Sequence, residues 1–110
     1  MEKPLKGDVV IVPFPFSDLS QAKRRPALVL ASLLGDDLIL CQITSRAVTD
    51  TYAVPVEDGD FVSGGLSVSS NIRPNRLFTA DQRIVLDVAG RLRPSVLEHA
   101  ILKVVAILQS

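Results

Sequence analysis

Three cations closed by a proline and opening into four apolar residues, Lys23-Arg24-Arg25-Pro26-Ala27-Leu28-Val29-Leu30, constrain this chain more than any other stretch. Proline fixes its own φ and pushes the residue before it toward an extended backbone. Pro26 therefore reads as the first residue of a strand, with Arg25 held at its mouth. A buried Ala-Leu-Val-Leu run would anchor that strand end, and an anchored arginine presents its guanidinium in one place, as phosphate recognition needs. The same residues also suit a solvated basic turn before an edge strand, so the rest of the chain has to separate the two readings.

At 110 residues the chain is expected to form one domain, spanning 1–110. Apolar residues make up 47% and charged residues 22%, which suits a soluble globular protein and argues against a disordered one. Lys plus Arg and Asp plus Glu balance at 12 each, so a site for phosphate has to come from local clustering rather than from net charge. Eight of the 12 cations are Arg, the side chain suited to forked contacts. With no Trp, one Tyr and four Phe, little aromatic surface is on hand for stacking along a general single strand. Cys41 is the only cysteine and sits in an apolar run, which points to buried packing and a reducing cytoplasm. The first six residues carry charge with no apolar stretch behind them, so no secretory signal is expected, and no apolar run reaches the length of a membrane span.

Along the chain, residues 9–12 form a β-branched strand after the Gly7-Asp8 turn, and 14–25 read as a long functional loop. Residues 26–31 and 38–43 form a hairpin across Gly35-Asp36-Asp37. Antiparallel pairing joins the end of one strand to the start of the other, so Thr44 should lie near Pro26 and Arg25. Hydroxyls at Thr44 and Ser45, with Arg46, beside a second fixed arginine make an oxyanion or phosphate clamp. Further strands are expected at 52–56, with Pro55 marking an edge, at 66–69 continued by 71–78, and at 84–86, with a turn at 79–82. Arg73 and Arg76 are candidates for the same basic surface. The one clear helix opens on a Ser95-Val96-Leu97-Glu98 capping box and carries Leu97, Ile101, Val104 and Leu108 on one face. His99, the only histidine, lacks ligand partners at metal spacing beyond Glu98 and reads as a surface or boundary residue rather than a general base. No phosphate-binding glycine loop, metalloprotease helix, paired cysteines or nucleophile elbow is present.

The order of these motifs resembles the MazF/PemK family of bacterial toxins: Gly7-Asp8-Val9-Val10, then residues 24–30, Gln42-Ile43-Thr44-Ser45, Leu77-Phe78-Thr79-Ala80-Asp81, and Gly90-Arg91-Leu92 before a terminal helix. The resemblance implies a mainly β (α+β) fold, a small curved SH3-like β-barrel with a C-terminal helix, working as a homodimer. It also implies sequence-selective cleavage of single-stranded RNA without a metal or other cofactor, and neutralisation by a cognate antitoxin. In that chemistry the ribose 2′-hydroxyl attacks the adjacent phosphorus, leaving a 2′,3′-cyclic phosphate and a 5′-hydroxyl. Arg25 and Thr44 match the family's catalytic pair. Arg25 is implied to stabilise the phosphorane, with a role in proton transfer left open, and Thr44 to hydrogen-bond the phosphate. Lys23, Arg24, Ser45, Arg46, Ser69, Arg73 and Asn75 are the implied RNA-binding residues. A local basic cluster on a neutral protein suits an acidic antitoxin tail that folds on binding.

Two positions depart from the family's pattern. An Arg-x-Asp acid and base pair found in some members is matched here by Arg73 and Asn75, and Asn75 cannot act as a base. The first-loop histidine of some members is replaced by Leu19 or Ser20. Either the Arg25 and Thr44 centre suffices or activity is reduced. Two alternatives follow: a non-catalytic gyrase-binding toxin of the same fold, and a degenerate module that binds antitoxin. The absence of Trp from the helix end argues against the first.

Overall fold

In the computed structural model, which describes residues 2–14 and 23–110, the apolar run after Pro26 is buried without interruption from Ala27 to Leu30. An unbroken buried run in a strand means that both faces are covered, and that condition shapes the architecture. Seven strands, β1 (Asp8–Phe14), β2 (Lys23–Ser32), β3 (Asp37–Thr44), β4 (Val54–Val56), β5 (Phe61–Gly64), β6 (Ser70–Asp81) and β7 (Asp87–Leu92), form one sheet in the order β4-β6-β3-β2-β1-β7-β5. Every pairing is antiparallel. Register shifts at Val9/Val10, Val29/Ala31 and Cys41/Ile43 are of the kind that adds twist, and the sheet curls into a half-barrel.

Side-chain alternation along the curled strands sorts the core into two clusters. Val9, Leu28, Leu30, Cys41, Ile43 and Ile72 belong to one, against which Val96, Leu97, Ile101 and Val104 of the helix α1 (Pro94–Gln109) pack. Val10, Val12, Ala27, Val29, Leu38 and Leu40 belong to the other, with Phe78 and Ile84 beside them. Each fully buried Leu or Val stabilises the fold by about 1.5–3 kcal/mol. Cys41 is fully buried, and burial pushes its thiol up to about 12 despite the Leu28 backbone, so no thiolate nucleophile is available near neutral pH.

The mainly β architecture with a terminal helix is as expected, as are the β2–β3 hairpin, the edge position of β4 with Pro55, and exposed His99. Several local expectations are corrected. β2 begins at Lys23, so the three cations lie inside the strand. Residues 66–69 are not a strand. The chain leaves the sheet at Gly64, and β5, held by buried Phe61, is a strand for which the sequence carried no expectation. The expected strand at 84–86 is a short 3₁₀ turn (Gln82–Ile84) followed by Val85 and Leu86, because the Asp81 carboxylate accepts the Arg83 N–H at 2.8 Å and tightens the backbone there. β6 instead runs on to Asp81 through the residues expected to turn. Ser95 does not cap α1. Pro94 stands at its first turn after Arg93, whose N–H donates to the Asp60 carbonyl at 2.8 Å and whose Nε donates to that of Gly59 at 2.7 Å. Leu108, expected on the buried face, is exposed. Most of the 14–25 loop, including Leu19 and Ser20, lies outside the described residues.

Two glycines with positive φ separate backbone strain from steric collision. Gly35 (φ +77°) turns the β2–β3 hairpin with open space around it. At Gly64 (φ +64°) an added Cβ would collide with the Ala89 carbonyl oxygen and approach the Gly90 Cα to 2.6 Å, where β5 and β7 cross closely. Gly35→Ala is expected to cost about 1 kcal/mol from the left-handed backbone alone, and Gly64→Ala about 3 kcal/mol or more, read as the difference in urea midpoints.

Candidate RNA-binding site

The site grows out of strand parity. Val12 pairs with Arg25 and Phe14 with Lys23 across β1–β2, while Ala27 pairs with Gln42 across β2–β3. That register runs on toward Thr44 opposite Arg25, the juxtaposition anticipated from the hairpin. Since side chains alternate, Val12, Phe14, Arg25, Gln42 and Thr44 fall on one face, at the open end of the Val12 and Ala27 cluster. They line a cavity of about 280 Å³ together with Arg46, Arg73, Arg76 and Phe78.

A bulge delivers the last two arginines. In the β3–β6 ladder, Cys41 pairs with Leu77 and Ile43 with Ile72, so Gln42 alone stands against Arg73-Pro74-Asn75-Arg76. Pro74 is fully buried and has no N–H to give to the ladder, which fits a break at this point. Both Arg73 and Arg76 face the cavity although they are three residues apart, and Asn75 is exposed outside it.

Hydrogen bonds fix several of these groups. The Arg46 N–H donates to Thr44 Oγ1 at 3.1 Å, which orients the hydroxyl and leaves its proton for a ligand. Asn71 Nδ2 donates to the Arg46 carbonyl at 3.3 Å, tying the end of β3 to β6. Arg73 Nη2 meets Asp50 Oδ2 at 2.9 Å, while Asp50 Oδ1 accepts the N–H groups of Tyr52 at 3.0 Å and Ala53 at 3.2 Å. The Phe14 and Phe78 rings, 6.1 Å apart and tilted by 45°, form an apolar wall. Four guanidinium groups around one concavity give a protein of zero formal charge a strongly positive pocket. Among the described residues, no group of three or more His, Cys, Asp or Glu is placed to hold a metal.

The implied site residues therefore divide. Arg25, Thr44, Arg46 and Arg73 share the cavity. Arg24 and Ser45 side chains have the opposite parity and line a second depression of about 240 Å³ with Ile11, Leu66, Ser67 and Val68, which Arg25 and Thr44 also border. Ser69 lies farther off, beside Glu57 and Asp58. Lys23 is exposed opposite Phe14, and Asn75 lines neither depression. Sequence reasoning missed Phe14, Phe78 and Asp50. Parity could have found Phe14, two residues beyond Val12 on the same face, but nothing local marks Asp50.

The family model for the PemK-like, MazF-like toxin of type II toxin–antitoxin systems matches residues 5–108. Among solved structures, MazF (Form-I) from Deinococcus radiodurans is 24% identical, with a TM-score of 0.79 and all of both chains covered. A MazE–MazF complex (Form-III) from the same organism is 23% identical, with a TM-score of 0.80 and 98% of each chain covered. An endoribonuclease from a mycobacterial species is 17% identical, with a TM-score of 0.75 over 99% of this chain and 94% of that one. These likenesses establish the fold. No curated protein sequence matches the chain.

The Asp50–Arg73 pair can be titrated. Burial raises the Asp50 carboxyl pKa, but the N–H groups of Tyr52 and Ala53 and the Arg73 guanidinium outweigh it, leaving a value below the ordinary carboxylate range. With the folded value depressed, the pair's contribution is full above an unfolded pKa of about 4 and fades as pH falls through the folded value. In a carboxyl ¹³C NMR titration, Arg73→Gln is expected to move Asp50 upward only part of the way, because the two backbone donors remain.

Proposed function

Because the chain belongs to the PemK-like, MazF-like toxin family of type II toxin–antitoxin systems, we infer that it is an endoribonuclease toxin whose cleavage centre is the Arg25 and Thr44 end of the β2–β3 hairpin. The observation that carries this reading is the convergence of Arg25 and Thr44 on one cavity with three further arginines. The substrate is single-stranded RNA, since only an unpaired strand can splay a base into a concavity of this size. The protein acts in the cytoplasm, as a single domain, and an antitoxin holds it in check.

In this reading the ribose 2′-oxygen attacks the adjacent phosphorus, the bond from phosphorus to the 5′-oxygen breaks, and the products end in a 2′,3′-cyclic phosphate and a 5′-hydroxyl. The proton lost from the 2′-hydroxyl passes to solvent, and the departing oxygen takes one up. Arg25 neutralises the charge that accumulates on the non-bridging oxygens, and its position inside a paired strand makes it preorganised for that task. Thr44, oriented by the Arg46 N–H, donates its hydroxyl proton to the same oxygens. Among the described residues no Asp, Glu or His lines the cavity, and electrostatic stabilisation by its guanidinium groups is the contribution the described lining offers.

Two partners complete the proposal. Leu102 at 58% and Leu108 at 72% exposed, with Val105 between them, leave an apolar strip along α1 that a second copy of this chain would cover. The arginine-rich cavity offers an acidic antitoxin segment a site at which binding and blockage of RNA coincide.

The test is cleavage of a long single-stranded RNA in EDTA, with end-group analysis. Wild type is expected to cut at a few defined sites and leave cyclic phosphate ends, with Arg25→Ala and Thr44→Val each slowing cleavage about 10²- to 10³-fold. Intact RNA from folded wild-type protein would overturn the reading.

A further inference from the structure

We propose that the cavity between Arg73 and the Phe14–Phe78 wall holds a guanine base of the nucleotide flanking the scissile phosphate, and that Arg73 reads that base. The inference rests on the endoribonuclease reading above and deepens it to a statement about sequence selectivity. Arg25 and Thr44 form part of the cavity rim, so a base seated inside belongs to a nucleotide next to the phosphate that they hold.

Three observations select a base over a second phosphate, and guanine over the other bases. First, the walls are of two kinds: Val12, Phe14 and Phe78 are apolar, while Arg73, Arg76 and Gln42 carry donors. A phosphate has no use for the apolar wall, whereas a base presents a flat face and a polar edge together. Second, Arg73 is immobilised. Its side chain is only 20% exposed, and Nη2 is spent on Asp50 Oδ2 at 2.9 Å. Its Nε is buried and makes no hydrogen bond among the described residues, so the donors left for a ligand are those of Nη1 and the second Nη2 hydrogen. A guanidinium that is fixed and has unspent donors meets a two-acceptor edge without further ordering cost. Third, guanine offers O6 and N7 side by side as acceptors, the partner of a forked arginine, whereas adenine places a donor beside N7. Cytosine also carries two adjacent acceptors, but a single ring covers less of the aromatic wall than a purine does.

Asp50 acts here as a positioning residue. Its Oδ1 holds the Tyr52 and Ala53 N–H groups, and its Oδ2 aims Arg73. The Asp50→Asn substitution keeps an oxygen for the backbone and removes the charge that holds Arg73, so it separates turn stability from base selection.

The experiment maps wild-type cut sites on a random single-stranded RNA, then measures kcat/KM on short oligonucleotides carrying one such site. Guanosine flanking the cut is replaced by adenosine, by cytidine or by 7-deazaguanosine, in which a C–H stands where N7 was. Wild type is expected to lose roughly 5- to 150-fold on replacing guanosine with adenosine or cytidine, the range of one bidentate arginine–guanine contact, and at least part of that with 7-deazaguanosine. Arg73→Met removes the charge and every donor, and is expected to cut guanosine and 7-deazaguanosine substrates at equal rates. Asp50→Asn is expected to weaken the preference while its melting curve stays cooperative. Wild-type cutting without a flanking guanine, dependence on cytidine, or an undiminished guanine preference in Arg73→Met would each overturn the pocket assignment alone. Failure of wild type to cut any RNA would overturn the endoribonuclease reading and this one with it. The 7-deazaguanosine comparison uses the wild-type protein, so a misfolded variant does not blunt it.

Discussion

The register of β2 against β1 and β3 is the constraint on which the site depends. Ala27, Leu28, Val29 and Leu30 are all buried, with Leu28 and Leu30 in one apolar cluster and Ala27 and Val29 in the other. A slip of one residue would exchange the clusters and carry Arg25 to the opposite face of the sheet. Hydrophobic burial thus sets the side on which the guanidinium emerges, and backbone pairing to Val12 sets its depth. The chemistry at the strand end is a by-product of a core that tolerates only one register.

Charge is used in the same local way. The chain has as many acidic as basic residues, yet four of its eight arginines surround one cavity and, among the described residues, a single carboxylate, Asp50, pairs with one of them. Acidic residues elsewhere serve structure: Asp8 accepts Arg91 at 2.8 Å beside the start of β1, and Asp81 binds Arg83 at the end of β6.

Much of this was legible in the sequence. Pro26 and the apolar run after it announced β2, Gly35-Asp36 announced the hairpin, and antiparallel geometry then brought Thr44 to Arg25. The failures have physical causes. Lys23 and Arg24 were grouped with Arg25 as one basic patch; residues inside a strand alternate, so Arg24 opens on a second depression, which Arg25 and Thr44 also border. Arg73 and Arg76 share a cavity only because the bulge opposite Gln42 breaks the two-residue period, and a bulge is set by partner strands rather than by local composition. The segment at 66–69 alternates like a strand yet pairs with no strand among the described residues, since the crossing of Gly64 and Gly90 has already turned the chain out of the sheet. Asp50 escaped notice because its partner lies 23 residues away.

The central claim is that the 2′-hydroxyl of the substrate is the nucleophile and that the protein supplies guanidinium charge around the phosphate. The most direct measurement is cleavage of an oligoribonucleotide carrying a single 2′-deoxy nucleotide immediately 5′ of a mapped cut site, in EDTA. The account predicts that the substituted oligonucleotide binds but is not cut at that position, while other sites on the same strand are cleaved at their usual rates. Cleavage at the deoxy position, at a rate comparable to the all-ribose strand, would show that water or a protein group attacks phosphorus and would contradict the account.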